Sequence, residues 1–179
     1  MEERKSNLRD VAKQVLAAHD NAHRFEALRK ACASQNVVPF LGAGLSMPSG
    51  YPGWTSFLWS LQGESHVNAA ELEALLNAGD YERAAQLIHD DLGSALFNKQ
   101  LQECFDRRCL ATGAINLLPL VFPDSNVVTT NFDKLLESAF SGQAQGFDQV
   151  VFGSNLGEAL RILSAGGRYL LKLHGSCET

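Results

Sequence analysis

Three short polar clusters hold the residues best suited to chemistry in this chain: Gly42-Ala43-Gly44-Leu45-Ser46, Thr130-Asn131-Phe132-Asp133 and His174-Gly175. Each follows an apolar run: Val37-Val38-Pro39-Phe40-Leu41, Val127-Val128-Thr129 and Tyr169-Leu170-Leu171-Lys172-Leu173. These runs predict three buried parallel strands, each ending in a polar or glycine-rich turn. Ligands of open α/β sheets bind just past the carboxyl ends of the strands, so the clusters are expected to converge on one crevice. The glycine turn would let backbone N–H groups approach a diphosphate, with the Ser46 hydroxyl beside them. The Asn131 amide can hold a ribose hydroxyl and a water, and the Asp133 carboxylate can accept from a carboxamide. His174 places an imidazole at a strand end, where it could move a proton near neutral pH.

Each cluster also has a plainer reading. Gly42-Ala43-Gly44 could be a tight strand-to-loop turn. Met47 stands where the third glycine of G-x-G-x-x-G belongs, and no Gly-Lys-Ser/Thr follows, so neither dinucleotide fingerprint nor P-loop is complete. Asn131 could simply cap the next helix, and His174 could be a packing residue. His19, His23, His66 and His89 fall in helical or loop segments and read as surface or packing residues.

The elements that must position these clusters are legible from spacing. Residues 7–34 read as helix, with Leu8, Val11, Ala12, Val15 and Leu16 on one face and Phe25, Leu28 and Ala31 on a second segment. Asp20-Asn21 marks a break and a cap, and the segment is expected to pack in front of the sheet. Met47 to Gly53 is a loop, and Trp54 to Leu61 a helix that Thr55 could cap. Residues 67–118 show no strand pattern; three or four short helices are expected there, punctuated at Asn77–Asp80 and Asp90–Gly93. A helix from about 132 to 140 ends at Gly142 and Gly146. A short strand at Gln149–Phe152 and a helix capped by Asn155 precede the last strand, near 168–173. The fold class is therefore α/β, a parallel sheet with a helical insertion at about 67–118. Residues 1–35 form an N-terminal helical segment and 36–179 a partial domain that stops after the His-Gly motif, as the first part of a larger protein would.

A chain of 179 residues, 45% hydrophobic and 20% charged, has the composition of a globular domain. Its net charge of −5 argues against a broad nucleic-acid surface, so no direct nucleic-acid binding is expected. No apolar stretch is long enough for a membrane helix, and Met1-Glu2-Glu3-Arg4-Lys5 opens no secretory signal. A cytoplasmic location is expected. Cys32, Cys104, Cys109 and Cys177 form no C-x-x-C pair, which predicts reduced thiols and no metal site.

In this order, G-A-G-x-S, T-x-N-[IF]-D and H-G resemble the motifs of the sirtuin superfamily. Here they read Gly42-Ala43-Gly44-Leu45-Ser46, Thr129-Thr130-Asn131-Phe132-Asp133 and His174-Gly175. The loop Ser49-Gly50-Tyr51-Pro52-Gly53-Trp54 and the ending Leu171-Lys172-Leu173-His174-Gly175-Ser176 are similar to the sirtuin-like domains of bacterial defence proteins, most of which cleave NAD. The resemblance spans about residues 36–176. It implies a Rossmann-like fold, NAD as substrate without a metal, and an antiviral defence setting. It also implies a sensor domain or partner protein, with homo-oligomerisation possible. It assigns catalysis to Asn131, which would position ribose and water, and to His174 as general base. Diphosphate binding would fall to Gly42, Ala43, Gly44 and Ser46, and the nicotinamide carboxamide to Asp133 with Thr130 beside it.

Two departures bear on the branch. Protein-deacylating sirtuins carry Asp-Phe-Arg after the Gly-x-Pro of this loop, whereas Gly50-Tyr51-Pro52 is followed by Gly53-Trp54-Thr55. A four-cysteine zinc module is also not visible. The expectation is thus an NAD glycohydrolase domain. A non-catalytic nucleotide-sensing module and a protein deacylase or ADP-ribosyltransferase stand as alternatives. The family's later strands, which hold the adenosine half of NAD, do not follow His174 here, so weak NAD binding by these 179 residues alone is expected.

Overall fold

The computed structural model describes residues 2–34, 37–143, 146–153 and 156–177. The chain divides into two compact units, Met1–Val37 and Val38–Thr179. The proposed cap Asn155 lies outside the described residues.

The first unit is two helices, α1 (Glu2–Ala17) and α2 (Asn21–Ala33), broken where expected. His19 and Asp20 take positive φ values of 47° and 62°, a conformation helices exclude. Asp20 does not cap α2 through its side chain. Instead Asn21 Nδ2 donates to the Val15 carbonyl at 2.9 Å, closing the end of α1. Val11, Val15, Phe25 and Leu28 are exposed.

The second unit is a four-stranded parallel sheet of β1 (Phe40–Leu41), β2 (Val127–Thr129), β3 (Gln149–Phe152) and β4 (Tyr169–Lys172), in the order β1-β2-β4-β3. Strands β2 and β4 are central and carry buried Val127 and Leu170. The expectation of three buried strands fails at β1, which lies at the edge with Phe40 64% exposed. It is also shorter than the run from Val37, because Pro39 has no N–H to donate and takes part only as the acceptor of Val128 N–H at 3.0 Å.

Between β1 and β2 lie helices α3 (Trp54–Gln62), α4 (Ala69–Asn77), α5 (Tyr81–Leu92), α6 (Ser94–Phe105) and the single turn α7 (Leu118–Val121). Asn68 and Asp80 cap α4 and α5 by accepting from Ala70 and Arg83 N–H groups at 2.9 and 3.3 Å. Thr55 lies inside α3, whose flanking residue is Gly53. Buried Phe57, Leu58, Leu61, Leu72, Leu76, Ala84, Ile88, Phe97, Leu101 and Phe105 knit these helices together. Each fully buried Leu or Phe contributes about 1.5–3 kcal/mol. Two helices complete the sheet connections: α8 (Leu135–Gln143), between β2 and β3, and α9 (Leu156–Ala165), between β3 and β4. Gly142 is the last but one residue of α8.

The register is what matters for the site. Leu41 pairs with Thr129, and Thr129 with Lys172, so the last residues of three adjacent strands stand in one row. The glycine turn, the Asn131 turn and the His174 turn all leave from that row.

Candidate active site

Hydrogen bonds tie the three turns together. Thr129 Oγ1 donates to the Leu41 carbonyl at 3.0 Å and accepts from the Asn131 N–H at 3.0 Å. Asn131 Nδ2 donates to the Gly42 carbonyl at 3.2 Å and to Ser46 Oγ at 2.9 Å. Leu173 N–H donates to the Thr129 carbonyl at 2.9 Å, which places the approach to His174 against the same strand end.

Asn131 is only 6% exposed, and its Oδ1 has no hydrogen-bond partner among the described residues. Buried polar atoms left unpaired are uncommon and costly. The plainer reading of Asn131 as a helix cap does not hold. Residues 131–134 are not helical, and it is Asp133 Oδ1 that accepts from Leu135 N–H at 3.0 Å. Helix α8 therefore starts later than the expected residue 132, and the Asn131 amide is released from capping.

The glycine turn is a short 3-10 turn over Ala43–Leu45, closed by Leu45 and Ser46 N–H groups donating to the Gly42 and Ala43 carbonyls at 3.0 Å each. A Cβ added at Gly44 would meet no atom within 4 Å. The protein's own packing does not require glycine there, and the space above that residue is open. Ser46 is buried, and its hydroxyl oxygen takes the Asn131 amide.

His174 is exposed and its ring stacks 6.4 Å from Phe132. Phe132 in turn packs edge-on against Trp54 at 5.5 Å and beside Phe105 at 5.8 Å. The turn residue between Asn131 and Asp133 thus plugs into the aromatic core of the helical segment.

Two cavities meet at this plug. A slot of about 20 Å³ is lined by Ala43, Ser46, Trp54, Asn131, Phe132 and Asp133, among others. That is room for roughly one water-sized polar group. Beyond Thr130 and Phe132 opens a cleft of about 650 Å³, walled by His174, Trp54 and Phe97 and by Tyr81, Glu82, Gln86 and His89 of α5. His89, expected at the surface or in packing, packs edge-on against Phe97 at 5.4 Å and also lines this cleft. On the other flank a cavity of about 630 Å³ includes Tyr51, Arg107, Arg108, Cys109 and Lys134. The Tyr51 hydroxyl donates to the Arg107 carbonyl, and the Arg107 guanidinium lies over the Tyr51 ring, 5.3 Å from its centroid. Burial, with Cys109 beside the hydroxyl, pushes the Tyr51 phenol well above its ordinary range.

The residues missed from sequence alone are Lys172 and Glu137. Lys172 is 1% exposed; its Nζ donates to the Asp133 carbonyl at 2.7 Å, the Phe132 carbonyl at 3.2 Å and Glu137 Oε1 at 3.1 Å. The available signal was a lysine inside the apolar run Tyr169-Leu170-Leu171-Lys172-Leu173, where an unpaired charge would not be tolerated.

All four cysteines are free thiols. Among the described residues no helix is long and apolar enough to cross a membrane, and no group of three His, Cys, Asp or Glu is placed to hold a metal ion.

Residues 125–179, which carry the Asn131 turn and His174, match the SIR2-like domain family. The chain is 26% identical over 169 residues to defense-associated sirtuin 2 of Bacillus subtilis, covering 91% of this chain and 16% of that one. It is 24% identical over 165 residues to NAD(+) hydrolase ThsA of Acinetobacter baumannii (strain 532279), covering 88% and 31%. To NAD(+) hydrolase ThsA of Cytobacillus dafuensis it is 26% identical over 138 residues, covering 73% and 25%. The chain spans less than a third of the length of each of these curated relatives. The motifs, the parallel sheet and these matches agree in their likeness to SIR2-like domains, and the similar proteins are named for defence and for NAD(+) hydrolysis.

Proposed function

We propose that this domain cleaves the bond between nicotinamide and ribose in NAD, with water as acceptor, as part of a defence protein. The observation that carries the reading is the Asn131 amide. Both of its hydrogens are engaged and its Oδ1 is buried with no partner among the described residues, in a side chain that lines a slot fitting one water-sized group. The names of two similar proteins, each an NAD(+) hydrolase, support the same chemistry.

In this reading Asn131 Oδ1 accepts from the attacking water or a ribose hydroxyl. The C–N bond breaks with its electron pair going to the pyridine nitrogen, so nicotinamide leaves neutral. A water oxygen bonds to the anomeric carbon and gives up a proton. His174 takes that proton, directly or through a ribose hydroxyl. The open turn at Gly42, Ala43 and Gly44 takes the diphosphate, while Ser46 serves by orienting Asn131. Thr130 borders both the slot and the cleft, and Asp133, whose Oδ1 caps α8, offers its carboxylate edge to the carboxamide. A sensor, on another domain or another chain, would set when the site acts, and self-association could accompany it.

The test is to incubate the intact natural protein with NAD and follow nicotinamide and ADP-ribose release, with Asn131→Ala alongside. Release that depends on Asn131 supports the reading. Tight NAD binding without release would instead identify a nucleotide-sensing module, and product formed only with an acyl-lysine or acceptor protein a transferase.

A further inference from the structure

We infer that Lys172 is a positioning residue for Asn131: its buried ammonium group fixes the carbonyls of the two residues that follow Asn131 and so sets where the Asn131 amide reaches. The inference rests on the NAD-cleaving reading of the site. An ammonium group has three donors, and all three are used. Two go to the carbonyls of Phe132 and Asp133, at 3.2 and 2.7 Å, and the third to Glu137 Oε1 at 3.1 Å.

Those carbonyls belong to residues 131–134, the non-helical stretch between β2 and α8. In a helix begun at Phe132 they would accept from later N–H groups; here they turn to Lys172 instead. The same strand end carries His174 two residues on, and Lys172 pairs in register with Thr129, whose hydroxyl holds the Asn131 N–H. One buried side chain therefore references the Asn131 turn to the strand that carries His174.

Stability alone is a poor account of this residue. A buried ion pair is often no better than apolar residues of similar size, and an apolar side chain would suit this buried end of β4. What an apolar residue would not supply is a pair of donors to two consecutive carbonyls.

The test separates the clamp from the ion pair in the intact natural protein. Glu137→Gln removes one charge and keeps the ammonium group on the two carbonyls. Lys172→Met combined with Glu137→Gln leaves no buried charge unpaired but takes the donors away. Both are measured at a temperature where circular dichroism shows them folded. The double variant is expected to lose about 100-fold in kcat relative to Glu137→Gln, with KM within a few-fold, as misplacement of about 1 Å would do. Amides of residues 131–135 are expected to exchange with deuterium at least tenfold faster. Turnover and exchange equal to those of Glu137→Gln would overturn the inference.

If the parent releases no nicotinamide, the NAD-cleaving reading falls by itself, and the exchange rates still decide the clamp. If the double variant does not fold, Lys172→Arg, which keeps the charge but changes the donor geometry, is read in the same two measurements. Parent-like values there would overturn the inference as well.

Discussion

Asn131 Nδ2 donates to Ser46 Oγ over 2.9 Å, binding the turn after β2 to the turn after β1. With the second amide hydrogen on the Gly42 carbonyl, the side chain, which helps line the slot, cannot rotate without breaking two bonds. Ser46→Ala removes one restraint and leaves the rest of the site in place. We expect turnover to fall about tenfold or more, for a stability loss of about 0.5–1.5 kcal/mol, the usual worth of one such bond. Nicotinamide release and thermal unfolding measure the two effects; parent-like turnover would show that Asn131 needs no such restraint.

Asn131→Ala should reduce NAD cleavage to background in the intact protein while the fold persists. Its amide satisfies two acceptors, so the stability loss should be about 1–3 kcal/mol, the desolvation cost of groups left unpaired. Circular dichroism and nicotinamide release together decide this. Activity within a few-fold of the parent removes Asn131 from catalysis.

His174→Ala should behave in the opposite proportion. The residue is exposed, with the Phe132 ring contact as its described packing, so unfolding should shift by roughly 0.5 kcal/mol or less. Loss of a general base should cost about 10²–10⁴-fold in rate. Full turnover with a markedly lower melting temperature would make His174 a structural residue.

The strand ends were legible because apolar runs, glycine punctuation and polar turn residues are local signals. Their convergence was legible because parallel sheets present carboxyl ends together. What spacing cannot carry is the direction of a side chain. Asn131 looked able to cap α8, but the Asp133 side chain does so, and Lys172 holds the Asp133 carbonyl from 39 residues away. Ser46 read as a ligand donor, and its second role, accepting from Asn131 while buried, could not be read from spacing. Exposure of β1 was hidden too, since edge and centre depend on strand order, which one run of five apolar residues does not encode.

Gly153→Ala tests the floor beneath His174. Gly153 N–H donates to the Lys172 carbonyl at 2.9 Å, and a Cβ there would come within 2.5 Å of the Leu173 carbonyl oxygen. Neither partner is a flexible side chain, so β3 and β4 must separate at the end nearest the site. We expect a clear loss of stability, about 1–3 kcal/mol as for overpacked interiors, with a fall in turnover. A melting temperature equal to the parent's would mean that the strands part here at little cost.

Tyr51 makes stability depend on pH in the alkaline range. Burial comes first among the causes that hold its phenol well above its ordinary range, with Cys109 adding to it. In the unfolded chain a tyrosine ionises near pH ~10. Above that pH the unfolded state has released a proton that the folded state retains, so the unfolded state binds fewer protons and stability falls as pH rises. Below it both states are protonated, and Tyr51 contributes its full packing and its hydrogen bond to the Arg107 carbonyl. Tyr51→Phe keeps the ring, loses that bond and cannot ionise. It should be less stable than the parent by about 1 kcal/mol between pH 7 and 9. From about pH 10 upward the parent's stability should fall more steeply, and the gap should close. Denaturant unfolding of both proteins from pH 7 to 11.5 gives the comparison directly, because the other titrating groups are common to the two. A gap that stays constant across the range would mean that the Tyr51 phenol ionises as easily in the folded protein as in the unfolded chain.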